Sequence, residues 1–154
     1  MPHYDFDKDF PIARETEKEV ANLLVKIYRG LKILDFEDTY KYDILASWNG
    51  KKFTVEVKED FICEFTGNVG MEFSCRGHDS GIATTEARYY LYKLHTKYYC
   101  IQYVIHKTST LKKMIADKKY FRIVNGGDDG SNSMNYLFKY DTFIKNGVIL
   151  NKYL

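Results

Sequence analysis

Between residues 13 and 31 apolar side chains return every three or four positions. Val20, Leu23, Leu24, Ile27 and Leu31 share one helical face, and Gly30 suits the helix end. Glu15, Glu17 and Glu19 fall in the first turns, where carboxylates suit the positive end of the helix dipole. Glu17 lies at the edge of the apolar face, aimed at whatever this helix packs on, whereas Glu15 and Glu19 point away. After residue 31 the period shortens to two. Strands are predicted over 32–36, 42–47, 52–59, 61–65 and 69–75, then a polar loop over 76–83. Ala87, Tyr90, Leu91 and Leu94 recur at helical spacing and predict a second helix capped by Thr84 or Thr85. A strand over 98–106 and a third helix over 109–119 follow. Strand candidates at 121–124 and 136–140 are separated by a glycine-rich turn over 125–135. Residues 1–12 read as an irregular arm held by Phe6 and Phe10, and 141–154 give no single pattern. This order describes an α/β or α+β chain. The fold class expected is α/β, a mixed central β-sheet flanked by helices.

One stretch, YDILASWNGKKFTVEVKED at 42–60, places charges where the pattern asks for core. Asn49-Gly50 between alternating runs signals a two-residue hairpin turn, because a type I′ turn needs positive φ at both positions. That turn sets the register. Trp48 faces Lys51, Ser47 faces Lys52, and the count runs outward to Ile44 with Val55 and Asp43 with Glu56. Tyr42, Ile44, Ala46, Phe53, Val55 and Val57 then form an apolar face, while Asp43, Glu56 and Lys58 share the other. Directly opposed carboxylates repel, so something must offset them. A divalent cation, its shell completed by water and phosphate, is one answer; a solvated face with a simple Glu–Lys pair is the other.

Composition then narrows the classes. A chain of 154 residues suits one domain with a real core. The net charge of +2 gives little whole-molecule attraction to nucleic acid, so such a surface must come from local clusters. Basic residues do cluster, at Lys51-Lys52, Arg88, Lys93, Lys97, Lys107, Lys112-Lys113 and Lys118-Lys119. Fourteen tyrosines and ten phenylalanines fit either a wet aromatic surface or a compositional bias. Cys63, Cys75 and Cys100 form no CxxC, so neither a zinc site nor a disulfide framework is expected, but buried free thiols in a reducing compartment. The first residues lack an apolar signal core and no run reaches membrane-span length. The expectation is a cytoplasmic protein with no membrane contact.

Glu17 in ARETEKEVANLL, Asp43 in KYDILAS, and Glu56 with Lys58 in FTVEVKED stand in the order helix acid, strand Asp, strand ExK. In that order they resemble the PD-(D/E)XK nuclease superfamily, whose fold is restriction-endonuclease-like. The run TGNVGMEFSCRGHDSGIATTEARYYLYKL is similar to a small phage-associated, Holliday-junction-resolvase-like group, in which such a block follows the ExK strand. The likeness covers roughly residues 13–106, and it departs from the family at the first motif, usually Pro-Asp and here Tyr42-Asp43. The resemblance implies Mg²⁺, with Mn²⁺ able to substitute, held by Asp43, Glu56 and the Val57 carbonyl, with Glu17 reaching the metal or its waters. It implies Lys58 beside the attacking water or the phosphate.

The implied activity is a metal-dependent DNA endonuclease. Small size without a recognition domain favours structure-selective cleavage of branched or duplex DNA, and symmetric substrates favour a homodimer. A DNA-repair or phage DNA-processing nuclease, an RNA substrate, and a non-catalytic nucleic-acid- or protein-binding module on the same fold are the alternatives. The expected plan is a single nuclease domain over 1–154, with an arm at 1–12, a core at 13–106, and a C-terminal helix and strands at 107–154.

Other residues carry a functional and a plain reading together. The loop RGHDSG, entering the predicted second helix, suits a phosphate held at Ser80, Gly81 and Thr84 by backbone amides, with Arg76 alongside. Arg88, Lys112 and Lys113 suit phosphate contacts or solvated faces equally. Asp60 either orients Lys58 or makes a turn, and Glu72 either supports the site or is solvated. His78 is a general base or an ordinary loop histidine; His95 and His106 show no metal spacing. Asp128-Asp129 suggest no role.

Overall fold

The computed structural model describes residues 6–37, 41–97, 100–126 and 132–154, with side chains of the first helix from Arg14 onward. Helix α1 (Phe6–Ile27) leads into β1 (Lys32–Phe36), β2 (Ile44–Trp48) and β3 (Lys51–Asp60). Then come α2 (Cys63–Thr66), β4 (Asn68–Cys75), β5 (His78–Asp79), a single-turn 3-10 helix (Gly81–Ala83), β6 (Tyr89–Thr96) and β7 (Cys100–Lys107). The chain ends with α3 (Thr108–Ala116), β8 (Arg122–Gly126), β9 (Ser133–Lys139), α4 (Tyr140–Lys145), β10 (Val148–Ile149) and a second 3-10 turn (Leu150–Tyr153). The class is α/β, with a mixed central sheet flanked by helices. Its strand order is β1-β2-β3-β6-β7-β10, and a second sheet runs β5-β4-β9-β8. Every pairing among the described strands is antiparallel except β3 with β6, which is parallel.

The hairpin has the predicted register, from Trp48 opposite Lys51 to Ile44 opposite Val55. Asn49 and Gly50 have φ of 53° and 78°, the left-handed conformations a type I′ turn demands. The central sheet separates two cores. On one face, α1 lays Val20, Ala21 and Leu24 against Ile44, Ala46, Val55 and Leu91. On the other, Tyr90, Tyr92, Leu94 and Val104 meet the second sheet and the helices α3 and α4 through Met71, Phe138, Leu111 and Phe143. Burying a Val or Leu side chain contributes about 1.5–3 kcal/mol, so these layers fix the sheet that carries the charged residues. Polar clamps add to the α1 face: Thr16 donates to Glu59 (2.6 Å), and Lys93 Nζ pairs with Glu19 (2.6 Å).

Several expectations are corrected. The second helix does not exist, and residues 89–96 form β6. Tyr90, Leu91 and Leu94 satisfy helical spacing, but the run YYLYKLHT is also aromatic-rich and sits between two strands, so ladder pairing overrides the three–four period. The strand expected over 61–65 is largely α2, closed by Gly67 at φ 70°. The arm is helical from Phe6; its Phe6 and Phe10 side chains and residues 1–5 lie outside the described residues. The 76–83 loop contains β5 and the first 3-10 turn, and strands β8 and β9 extend into the expected 125–135 turn, whose Asp128-Asp129 lie outside the described residues. Of the three thiols only Cys63 is buried, Cys100 being exposed. Among the described residues no helix is long and apolar enough to cross a membrane.

Candidate active site

Strand β3 carries Glu56 and Lys58 two residues apart, so both project from the sheet face that looks toward the second sheet, level with Tyr90 and Tyr92 of β6. Lys58 Nζ lies 3.2 Å from Glu56 Oε1. Glu56 Oε2 is buried and has no hydrogen-bond partner.

Asp43 is not paired across the ladder from Glu56, as the hairpin count had it. The ladder ends at Ile44 and Val55, and Asp43 sits one residue beyond. Its own N–H donates to the Val55 carbonyl (3.0 Å), while its Oδ2 accepts from the N–H of Val57 (2.7 Å). The carboxylate is thereby fastened to the backbone between Glu56 and Lys58. The approach is held from outside the hairpin too: the Lys41 carbonyl accepts from the Glu86 N–H (2.9 Å) and from Thr85 Oγ1 (3.2 Å).

The two acids share a field that favours their neutral forms. Burial pushes the Asp43 carboxyl up to about 7, the charge of Glu56 adds to this, and the Val57 amide and Lys58 pull the other way. Glu56 is also raised by burial, with Lys58 opposing. Burial is the largest influence on the Lys58 ammonium and acts to lower it, but Glu56, Tyr90 and Asp43 together outweigh it and the net shift is upward, so the lysine is a fixed cation. Glu17 is buried, 3.3 Å from Arg14, and its charge makes the smallest contribution to Asp43.

Glu56 and Lys58 line a cleft of about 480 Å³ with Asp79, Ser80, Gly81 and Thr84. The structure thus brings three of the loop residues singled out in the sequence to the ExK strand. The reason is a close approach: a Cβ on Gly81, at φ +52°, would lie 2.1 Å from the Glu72 carbonyl oxygen, so only glycine lets the loop press against β4. Glu72 serves there through its backbone. The amide cradle expected at Thr84 is absent, since no helix begins there. The N–H groups of Ala83, Thr84 and Thr85 donate to Ser80 and Gly81 carbonyls within the turn. Ser80 is among the lining residues, and its Oγ is buried without a hydrogen-bond partner.

The remaining candidates separate. Asp60 makes the turn: its carboxylate accepts from the N–H groups of Ile62 (2.9 Å), Cys63 (3.0 Å) and Gly70 (3.1 Å). Arg76 is exposed in the β4–β5 turn, and Lys113 is exposed on α3. Arg88 and Lys112 meet in a second cleft beside the first. The larger cleft of about 740 Å³, between α2 and α4, contains none of Asp43, Glu56 or Lys58. Tyr90 was missed as a site neighbour because its run read as a helix. Its buried phenol is raised by burial and feels the charges of Lys58, Glu56 and Asp43.

Among the described residues no group of three or more His, Cys, Asp or Glu side chains is placed to hold a metal. A cation here would rest on two carboxylates and backbone oxygen, with water completing the shell, which is the sparse protein set that suits Mg²⁺. The orphaned Glu56 oxygen and the raised Asp43 carboxyl are the features such a cation would relieve.

No protein-family model matches this chain, and a search of curated proteins returns no match.

Proposed function

We propose that this chain is a metal-dependent deoxyribonuclease of restriction-endonuclease-like fold, cutting phosphodiester bonds in branched or duplex DNA in the manner of a Holliday-junction resolvase. One observation carries the reading: a buried Glu56 carboxylate paired with the half-buried Lys58 on the strand beside a second carboxylate, Asp43, that is tied to the same strand's backbone. A solvated Glu–Lys pair would leave neither a buried carboxylate oxygen without a partner nor a neighbouring acid raised to about 7. Asp43, Glu56 and the Val57 carbonyl would hold Mg²⁺ or Mn²⁺, which when bound supplies charge neutralisation at the phosphate and a more acidic water. Lys58 keeps its proton throughout and sits where it can orient that water or stabilise the phosphate's developing charge. Ser80 lines the same cleft, and rotation of its buried Oγ would offer a hydrogen-bond donor to a phosphate oxygen. Glu17 would reach the metal or its waters from α1. Arg88 and Lys112 contact DNA backbone without reading sequence. A homodimer matches two-fold substrates, and free thiols at all three cysteines fit the cytoplasm, of a host cell if the source is viral.

The test is cleavage of linear duplex, single strand, nicked circle and four-way junction with Mg²⁺, Mn²⁺ or EDTA, using wild type and Lys58→Ala. We expect metal-dependent cutting that falls at least about 100-fold in the variant. Folded protein that binds DNA but cuts nothing would leave a binding module and end the enzyme reading.

A further inference from the structure

Arg88 and Lys107 belong to two clefts at once. On the Glu56 side of the sheet they line a cleft of about 490 Å³ at the start of α3, together with Thr108, Ser109 and Lys112. On the α1 side they line another, of about 470 Å³, walled by Tyr28, Trp48, Phe53 and Tyr89. The first of these lies next to the Glu56–Lys58 cleft, with Thr84 lining one and the following residue, Thr85, the other. The three clefts are therefore neighbours at the edge of the central sheet.

In the two clefts that share Arg88 and Lys107 the charge is one-sided, whereas the Glu56–Lys58 cleft carries the acids Glu56 and Asp79. The aromatic cleft presents Lys51, Lys52, Arg88 and Lys107, and no carboxylate is among its lining residues. In the middle cleft the single acid, Glu86, is paired with Lys41 at 3.7 Å. The rings are set edge to face, Tyr28 to Trp48 at 5.2 Å and Phe53 to Tyr89 at 5.5 Å. Trp48 is 37% exposed and is held in place by its Nε1–H donating to the Arg29 carbonyl at 3.0 Å. Anchored rings with cations and no acid form the lining that holds unpaired bases: the rings stack and the cations follow the phosphates. A blunt duplex keeps its bases stacked inside and has none to offer. Lys51 and Glu56, at the two ends of the path, are about 16 Å apart along β3, room for a few nucleotides.

We propose that a single-stranded segment of DNA runs from the Glu56–Lys58 cleft across Arg88 and Lys107 and stacks a base in the Trp48 cleft. This rests on the nucleic-acid reading above and narrows the substrate to DNA with unpaired nucleotides next to the cut, such as a flap or an open branch point.

Trp48 is the chain's single tryptophan, so its fluorescence reports this cleft. The full chain in EDTA, where no cutting occurs, is titrated with an oligothymidylate and with a blunt duplex of equal length. Saturable quenching by the single strand, weak or absent with duplex, is the expected result. By anisotropy of a labelled oligothymidylate, Trp48→Ala should weaken binding about tenfold while Trp48→Phe retains it. Arg88→Ala should weaken it and reduce the salt slope by about one. The proposal is overturned by absence of quenching, by equal quenching with duplex, or by Trp48→Ala binding as tightly as wild type. If Trp48→Ala does not fold, the wild-type titration and Trp48→Phe decide. Quenching without cleavage in the substrate panel would retire only the enzyme reading; cleavage without quenching would retire only this path.

Discussion

Replacing Asp43 by Asn should stabilise the metal-free protein at alkaline pH. The amide is nearly isosteric, and its carbonyl oxygen can still accept from the Val57 N–H, now 2.7 Å from Oδ2. What disappears is a charge that the fold disfavours, by burial first and by Glu56 second. The gap between 3.8 and about 7 corresponds to about 4 kcal/mol at 1.36 kcal/mol per pH unit. Residual solvent at this partly open carboxylate and its sharing of charge with Glu56 reduce the expected gain to about 2 kcal/mol. The sign follows from linkage. A carboxyl raised in the folded state binds its proton more tightly there, so its contribution is fully present below about pH 4 and is lost as pH rises through about 7. The assay is urea unfolding in EDTA at pH 4.5 and pH 8, wild type against variant. The variant should gain at pH 8, and the gap should shrink at pH 4.5. Saturating Mg²⁺ should then reverse the order by stabilising wild type alone, by about 2.7 kcal/mol at one hundred times the dissociation constant. A variant less stable than wild type at pH 8 in EDTA, or a gap independent of pH, would refute the view that the two acids are held together against their charge.

Three further outcomes are expected. Gly81→Ala forces a Cβ to within 2.1 Å of the Glu72 carbonyl oxygen at φ +52°; the loss should be about 3 kcal/mol or more, read as a melting point about 10 °C lower. Asp60→Ala strands three backbone amides at the start of α2 and β4 and should cost about 2–3 kcal/mol by urea midpoint. His106 is lowered from its usual 6.5 by burial, with the Phe143 carbonyl opposing, so its contribution to stability should fall as pH drops below about 6.5; wild type should therefore lose stability relative to His106→Gln between pH 7.5 and 5.5 by urea unfolding, Asp43 titrating alike in both.

The local chemistry of the hairpin was open to reading because a two-residue Asn-Gly turn fixes register without reference to the rest of the chain. Glu56 and Lys58 followed from that register, and Glu17 from helical period. Asp43 shows the limit: alternation assigned it a face, but the strand ends one residue earlier and a side-chain bond to Val57 takes over. Residues 89–96 were misread for a different reason. A central strand buried on both faces loses alternation, and its apolar positions then satisfy a helical period by chance. The approach of Ser80 to Glu56 depends on Gly81 meeting β4, a contact between distant segments that no local pattern encodes. The Trp48 cleft is assembled from five separate stretches of chain, and its charge asymmetry appears only once they converge.

The single parallel pairing, β3 with β6, also divides the site in time. The β2–β3 hairpin closes over two residues and can form in microseconds, already carrying Glu56, Lys58 and the neighbouring Asp43. Strand β6 pairs with β3 only when the chain carrying α2, β4, β5 and the 3-10 turn loops back, and such non-local closure is slow. The carboxylates therefore begin in open water, each close to its ordinary acidity. They acquire their mutual cost when β6 arrives with the Ser80–Thr84 wall and shuts solvent out. The energetic burden of the charged cluster thus falls on the non-local closure of β6 onto β3, the step at which a bound cation would help most.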